Sequence, residues 1–197
     1  MNIGIDIDDT TTYSYDNFLI YALEYDKTLR GTGIIEKNMK YDDDFDWTDE
    51  ETQAFYRKYF IQAFGNVKPK MDAIPILQQL YQDGHHLIFI TSRNDKHSSI
   101  ADIMTKQWMD TYQIPYTKII TKVLYKGPIC EQEQIDLFID DSWGQCTFVA
   151  DHYPISVLLY DEYHRFNSYP GLTIVNNWKE IYTYVQHINT GSIIEQK

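Results

Sequence analysis

Cysteine is scarce: Cys130 and Cys146 are the only two in 197 residues. They form no CxxC and no disulfide framework, which argues against a stapled secreted domain and fits a reducing cytosol. Long apolar runs are missing too. The longest, such as LIFI at 87–90, have the length of buried strands and fall well short of the ~18 residues of a membrane span. The opening MNIGIDIDDT places acids where a signal peptide would need an apolar stretch. No membrane partner is expected. Positive charge is in deficit: 17 Lys plus Arg stand against 29 Asp plus Glu, a net charge of −12. Such a surface repels polyphosphate backbones, so coating of DNA or RNA is disfavoured. A small phosphorylated ligand remains admissible where a metal or a local cation cluster receives it.

Against these absences stands an ordinary globular composition, 43% hydrophobic and 23% charged, with 17 Tyr. The length suits one sizeable core with an insertion. Residues 2–7 (NIGIDI) read as a strand, and 13–27 have apolar residues at helical spacing. Residues 28–47 read as irregular, with Gly31-Thr-Gly33 a loop and Asp42-Asp43-Asp44 a solvated stretch. Thr48 and Glu51 make a capping box that opens a helix to about Phe64. Lys68-Pro-Lys70 reads as a hinge. Helices are then expected at about 73–83, 97–112, 127–134, 143–150 and 177–188, and strands at 86–91, 118–121, 135–140 and 155–160. This alternation predicts an α/β fold, a Rossmann-like parallel sheet with helices on both faces. The strands are continuous apolar runs, as double coverage requires. The expected division is a core of 1–10 and 70–197 and an inserted helical segment of 11–69.

Ligand sites in open parallel sheets lie beyond the carboxyl ends of the strands. Three strand ends are rich in chemistry: Asp6-Ile-Asp8-Asp9-Thr10, Thr91-Ser92-Arg93-Asn94 and Asp140-Asp141-Ser142, with Lys126 shortly before the last. Acids gathered there raise each other's pKa unless a cation joins them, and Mg²⁺ suits hard oxygen ligands. An EF-hand loop starting at Asp6 fails, since Thr11 and Asn17 fall where Gly and Glu belong.

In order along the chain, DIDDT, FITSR, Lys126 and LFIDD resemble the four motifs of the haloacid dehalogenase-like phosphohydrolases. The insertion stands where that family places its C1 cap. FITSR, KGPICEQEQIDLFIDDS and HRFN resemble the 5′(3′)-deoxyribonucleotidase branch and its bacterial relatives. The resemblance implies a Mg²⁺-dependent phosphatase acting through an aspartyl-phosphate. Asp6 would be the nucleophile and Asp8 the general acid/base. Thr91, Ser92 and Arg93 would bind phosphate, and Lys126 would neutralise nucleophile and phosphate. Mg²⁺ would rest on Asp6, the Asp8 carbonyl and Asp141, with Asp140 a ligand or one layer out.

Several readings stay open. Lys122 directly follows a strand and rivals Lys126, which is preferred because its gap to Asp140 fits a short helix. Arg93 either binds phosphate or pairs with an acid. Phe45 and Trp47 of the insertion are expected to meet the substrate; Phe18 and Tyr56 are expected to fill the insertion's own core. The His85-His86 pair starts a strand and reads as structural. The expected substrate is a nucleoside monophosphate, with a sugar phosphate as the alternative and a phospho-accepting signalling module the more distant one. Monomer and homodimer are both compatible with the sequence.

Overall fold

In a computed structural model of the chain, residues 1–93 and 100–189 are described. Asn94 and positions 97–99, the expected start of one helix, lie outside them, as does the chain after 189. Six strands form one sheet: β1 (Asn2–Ile5), β2 (His86–Ile90), β3 (Lys118–Ile120), β4 (Leu137–Asp140), β5 (Ser156–Tyr160) and β6 (Leu172–Val175). All pairs are parallel and the order is β3-β2-β1-β4-β5-β6. The helices are α1 (Ser14–Leu29), α2 (Asp49–Phe64), α3 (Ala73–Gln82), α4 (Ala101–Thr111), α5 (Lys126–Gln132), α6 (Trp143–His152) and α7 (Trp178–Asn189). None among the described residues is long and apolar enough to cross a membrane.

The apolar runs serve two cores because side chains alternate across a strand. Ile3, Ile5, Leu87, Phe89, Leu137 and Ile139 join one core with residues of α3, α4 and α7. Ile88, Ile90, Phe138, Val157 and Leu159 join the other, with Cys130 of α5 and Cys146 of α6. Both cysteines are buried free thiols. Gly4 stands in β1 because a Cβ there would lie 3.2 Å from Ile135 and 3.3 Å from Ile90. The two cores thus hold β1 and β4 side by side at the sheet centre, with Ile5 registered on Phe89 and Ile139. Those strands deliver the acids.

A third, aromatic core lies between α1 and α2. Phe18, Phe45, Phe55, Tyr59 and Phe64 fill it, and Ala101 and Met104 of α4 join them. The capping box is present: the Thr48 hydroxyl accepts from Glu51 N–H, and the Glu51 carboxylate accepts from Thr48 N–H at 2.8 Å. The chain leaves and re-enters the sheet region through two adjacent segments. Thr12 bridges Pro69, Tyr13 N–H donates to Lys68 O, and Lys70 N–H donates to Thr11 O.

Two expectations need correction. Asp42-Asp43-Asp44 is no solvated loop. It belongs to a 3₁₀ helix (Tyr41–Asp44), and Asp44 is fully buried. Its carboxylate accepts from the Tyr15 hydroxyl at 2.5 Å and from the Asn38 and Lys40 N–H groups at 3.2 and 3.3 Å. Strand β6 was not anticipated. Its four residues follow a Pro-Gly pair that reads as a loop, and an edge position needs only partial burial.

The Trp178 indole ties α7 to the acidic loop after β1: it is fully buried and donates Nε1–H to the Thr10 carbonyl at 3.1 Å. Trp178→Ala is expected to lower unfolding free energy by about 3–5 kcal/mol in urea titrations. Trp178→Phe keeps most of the packing and is expected to cost about 1–2 kcal/mol, chiefly the unpaired carbonyl. Equal losses in the two variants would contradict that account.

Candidate active site

The acids reach one place because two central strands end side by side. Asp6 follows β1 and its N–H donates to Ile139 O of β4 at 2.9 Å. Beyond it the chain turns tightly. Thr11 Oγ1 donates to Asp6 O at 2.8 Å and Thr12 Oγ1 to Ile7 O at 3.1 Å. Both threonines are fully buried, and their hydroxyls join the Thr11 and Thr12 N–H groups, which donate to Ile7 O at 2.9 and 3.1 Å, in holding the turn. Asp9 takes a left-handed φ of +60°, which Asp tolerates better than most residues. Its carboxylate accepts from Tyr15 N–H at 2.9 Å and from the Tyr41 hydroxyl.

Lys126 is the first residue of α5 and is 4% exposed. Its ammonium sits between two carboxylates, donating to Asp6 Oδ1 and, at 2.6 Å, to Asp140 Oδ2. Gln145 braces it by accepting the Lys126 N–H at 3.0 Å and donating to Leu124 O at 2.8 Å. Lys122, the rival, instead lies 3.5 Å from Asp102 and is half exposed. Asp140 Oδ1 also accepts the Ser142 N–H at 2.8 Å, so both of its oxygens are engaged. Among the described residues Asp141 has only long contacts, 3.5 Å to Thr10 Oγ1 and 3.7 Å to an Arg165 nitrogen.

Of the two roles open to Arg93, the structure has the pairing with an acid. Its Nε and Nη2 donate to the two oxygens of Asp8 at 2.8 and 2.6 Å, and Nη1 lies 3.4 Å from Thr105 Oγ1. Ser14 adds a third donor to Asp8 at 2.5 Å. Burial pushes the Asp8 carboxyl up, but the Arg93 charge and these hydrogen bonds outweigh it and hold it below the usual carboxylate range. Asp6 differs. Burial, opposed by Lys126 but reinforced by Asp140 and Asp8, raises it to about 7. Burial and the neighbouring Asp9, Asp140 and Asp6 push Asp141 well up.

These groups line a cavity of about 930 Å³ with Asp6, Asp8, Asp9, Lys126, Asp140 and Asp141 at its floor and Ser92 on its wall. Thr91 is buried behind Ser92, its Oγ1 accepting Arg93 N–H at 3.3 Å. Phe45 and Trp47 do not line this cavity, contrary to expectation. Trp47 is partly buried against the aromatic core, stacking on Phe45 at 4.5 Å and donating to Asp26 at 3.0 Å. The rings that do face the cavity are Tyr15, Tyr41, Trp143, Tyr163 and Phe166. Trp143 had a signal in the sequence, since it directly follows Asp140-Asp141-Ser142 and opens α6. Tyr41 had none, because its place depends on the buried Asp44 and on Asp9.

The donor set fits a divalent cation. Carboxylate oxygens of Asp6, Asp140 and Asp141 lie within 4.8 Å of one another. The carboxylates of Asp6, Asp8, Asp9, Asp140 and Asp141 cluster with Lys126, Arg93 and Arg165 among them, and Asp16, Lys37 and Lys40 also line the cavity. Hard anionic oxygens with surplus negative charge are what such an ion requires.

No protein-family model matches the chain. Two curated relatives align over nearly its whole length. "Putative nucleotidase YqfW" of Bacillus subtilis is 26% identical over 195 residues, with 91% of each chain covered. "Putative nucleotidase BH1399" of Halalkalibacterium halodurans is 25% identical over 191 residues, covering 92% of this chain and 91% of its own. Among solved structures, a HAD-superfamily hydrolase of subfamily IA from Geobacter sulfurreducens superposes with a TM-score of 0.60 at 16% identity, over 93% of this chain and 98% of that one. The chain has the haloacid dehalogenase-like fold. In this haloacid dehalogenase-like frame the four sequence motifs meet at the carboxyl ends of β1, β2 and β4, with Lys126 between them.

The raised Asp6 carboxyl has a consequence for the metal-free protein. An unfolded Asp titrates near 3.9, whereas folded Asp6 holds its proton to about 7. The folded state therefore binds more protons in that interval, and stability contributed below about 4 is lost as pH rises through about 7. In chelator, the melting temperature is expected to fall between pH 5 and pH 8 more steeply for the wild type than for Asp6→Asn. Saturating Mg²⁺ is expected to flatten the wild-type slope. Parallel slopes for the two proteins would show that Asp6 is not the group responsible.

Proposed function

We propose that the protein is a divalent-metal-dependent phosphomonoesterase that hydrolyses nucleoside monophosphates, with Mg²⁺ as the metal. One observation carries the reading: the Lys126 ammonium held between Asp6 and Asp140 at the floor of a cavity whose next carboxylate is Asp8. A lone structural ion pair would not need a second and third acid converging on the same point. The two nucleotidase-named relatives and the rings on the cavity wall support the nucleotide as substrate, since a base stacked on an aromatic face gains about 1–3 kcal/mol.

Asp6, Asp141 and the Asp8 carbonyl would hold the ion, with Asp140 kept one layer out by Lys126 and Ser142. When bound, it supplies charge neutralisation at the phosphoryl oxygens. Asp6 attacks phosphorus, the P–O bond to the leaving oxygen breaks, and an aspartyl-phosphate forms. Lys126 lowers the charge on the nucleophile so that a dianionic phosphate can approach it. Ser92, in the cavity lining, would meet the phosphate oxygens, with Thr91 buried beside it. Asp8 protonates the leaving oxygen and then takes a proton from the water that cleaves the aspartyl-phosphate. As arranged, the Arg93 pair keeps Asp8 ionised, which suits the second step directly. The first step requires Asp8 to carry a proton, so incoming phosphate has to weaken the hold of Arg93.

A panel of ribo- and deoxyribonucleoside 5′- and 3′-monophosphates, sugar phosphates and an aryl phosphate tests the reading through Mg²⁺-dependent phosphate release. Turnover is expected to favour nucleotides and to vanish in Asp6→Asn. Preference for sugar phosphates would keep the chemistry and overturn the substrate. No turnover on any member, by folded protein with Mg²⁺, would overturn both. Asp8→Asn tests the acid. It is expected to slow nucleotide hydrolysis by about 10²–10⁴-fold and aryl phosphate formation of aspartyl-phosphate far less, because a phenolate leaves without a proton. Equal losses on both would assign Asp8 another role.

A further inference from the structure

The cations that touch the acid cluster, Arg93, Lys126 and Arg165, differ in how much of their hydrogen-bonding capacity is used. The Arg93 donors are spent on Asp8 and Thr105, and Lys126 is held by two carboxylates. Arg165 is different. It lies on the loop after β5, next to β4 in the sheet, and lines the cavity on the Asp141 side. Its Nε is 3.4 Å from Asp161 Oδ1, a marginal bond, and its Nη2 is 3.7 Å from Asp141, beyond hydrogen-bond distance. Among the described residues neither Nη group makes a hydrogen bond.

The loop is nevertheless built to hold this guanidinium. Asp161 is fully buried and accepts Phe166 N–H at 2.9 Å, closing the loop at its base. The guanidinium carbon lies 4.9 Å from the centre of the Phe166 ring, and that ring stacks on Trp143 at 5.0 Å. His164 immediately before it takes a left-handed φ of +54°. A planar cation clamped on an aromatic face, with its outer nitrogens unspent and turned to an acid-lined cavity, is prepared for an oxyanion.

We propose that Arg165 binds phosphate oxygens of the substrate. The proposal deepens the phosphatase reading and rests on it. Arg165 and a divalent cation face the same Asp141 carboxylate, so their charges repel each other. Removing Arg165 therefore has opposite effects on the two ligands. Anion affinity falls, and metal affinity holds or rises.

Calorimetric titration of Mg²⁺ into the metal-free protein, and of inorganic phosphate into the Mg²⁺-saturated protein, separates these effects. For Arg165→Gln we expect phosphate to bind about tenfold or more weakly, the loss of a charge-assisted pair of donors, with Mg²⁺ bound as tightly as before or more so. Arg165→Lys, which keeps the charge but not the fork, is expected to lie between. Thermal melts of both variants check folding, and a nucleotide KM raised by a similar factor, with kcat less affected, is the kinetic counterpart. Unchanged phosphate affinity would overturn the proposal, as would joint weakening of phosphate and Mg²⁺, which marks a collapsed site. Failure of the wild type itself to bind phosphate or turn over any ester would instead overturn the phosphatase reading, and this inference with it.

Discussion

The contact on which the site depends is the Lys126 ammonium wedged between Asp6 and Asp140. An ammonium buried alone would lose its charge, and two buried carboxylates alone would lose one of theirs. Together they offset one another: Lys126 opposes the rise that burial and Asp140 impose on the Asp6 carboxyl, which still titrates at about 7. The surrounding structure reads as the means of holding that triad. The two sheet cores fix β1 beside β4, so Asp6 and Asp140 emerge on neighbouring strands. The first turn of α5 places Lys126 beneath them, Gln145 of α6 braces its backbone, and the buried Thr11 and Thr12 hydroxyls stiffen the turn after Asp6. Even Cys146 contributes, its Sγ 3.4 Å from the Asp140 carbonyl.

Such a site opposes stability by design. One ammonium does not satisfy two carboxylates, and Asp141 and Asp9 add further charge at the same strand ends, with burial as the main reason these acids titrate high. The cores carry that load. Fully burying a Leu, Ile or Phe contributes about 1.5–3 kcal/mol, and both faces of the central strands are covered by such residues. A small sheet covered on one face would have little to set against the same acids. The wholly apolar strands and the acid-rich strand ends are therefore two aspects of one constraint.

The sheet was legible because its signals are local. HLIFI and LFID declare strands covered on both faces, and the acids at their ends declare the side on which chemistry sits. Lys126 was legible through its spacing to Asp140. The insertion's helices were readable from periodicity and a capping box, but which of its aromatics would face the cavity was not. Trp47 and Tyr41 are six residues apart in similar acidic surroundings, yet one packs on Phe45 and Tyr25 and the other reaches Asp9 across the site. What separates them is Asp44, whose burial orders the backbone of 38–40. A run of three aspartates gives no sign that one of them is a buried acceptor. Short β6 was lost for a related reason, since an edge strand needs little apolar signal.

The two arginines show how residue type alone misleads about role. In sequence Arg93 stands beside Thr91-Ser92, the pair expected to bind phosphate, and Arg165 stands in an unremarkable loop. In the structure Arg93 has its fork closed on Asp8, whereas the outer nitrogens of Arg165 remain unspent. On the proposed reading a phosphate dianion brings two further negative charges to this cluster of acids. Uptake of a proton by Asp8 would relieve one of them, and that is the protonation state from which Asp8 would serve the leaving oxygen. As the bond between Arg93 and Asp8 weakens, the guanidinium becomes available to the incoming anion as well. Substrate binding and the arming of the acid are on this account a single electrostatic event, driven by the charge the phosphate carries in.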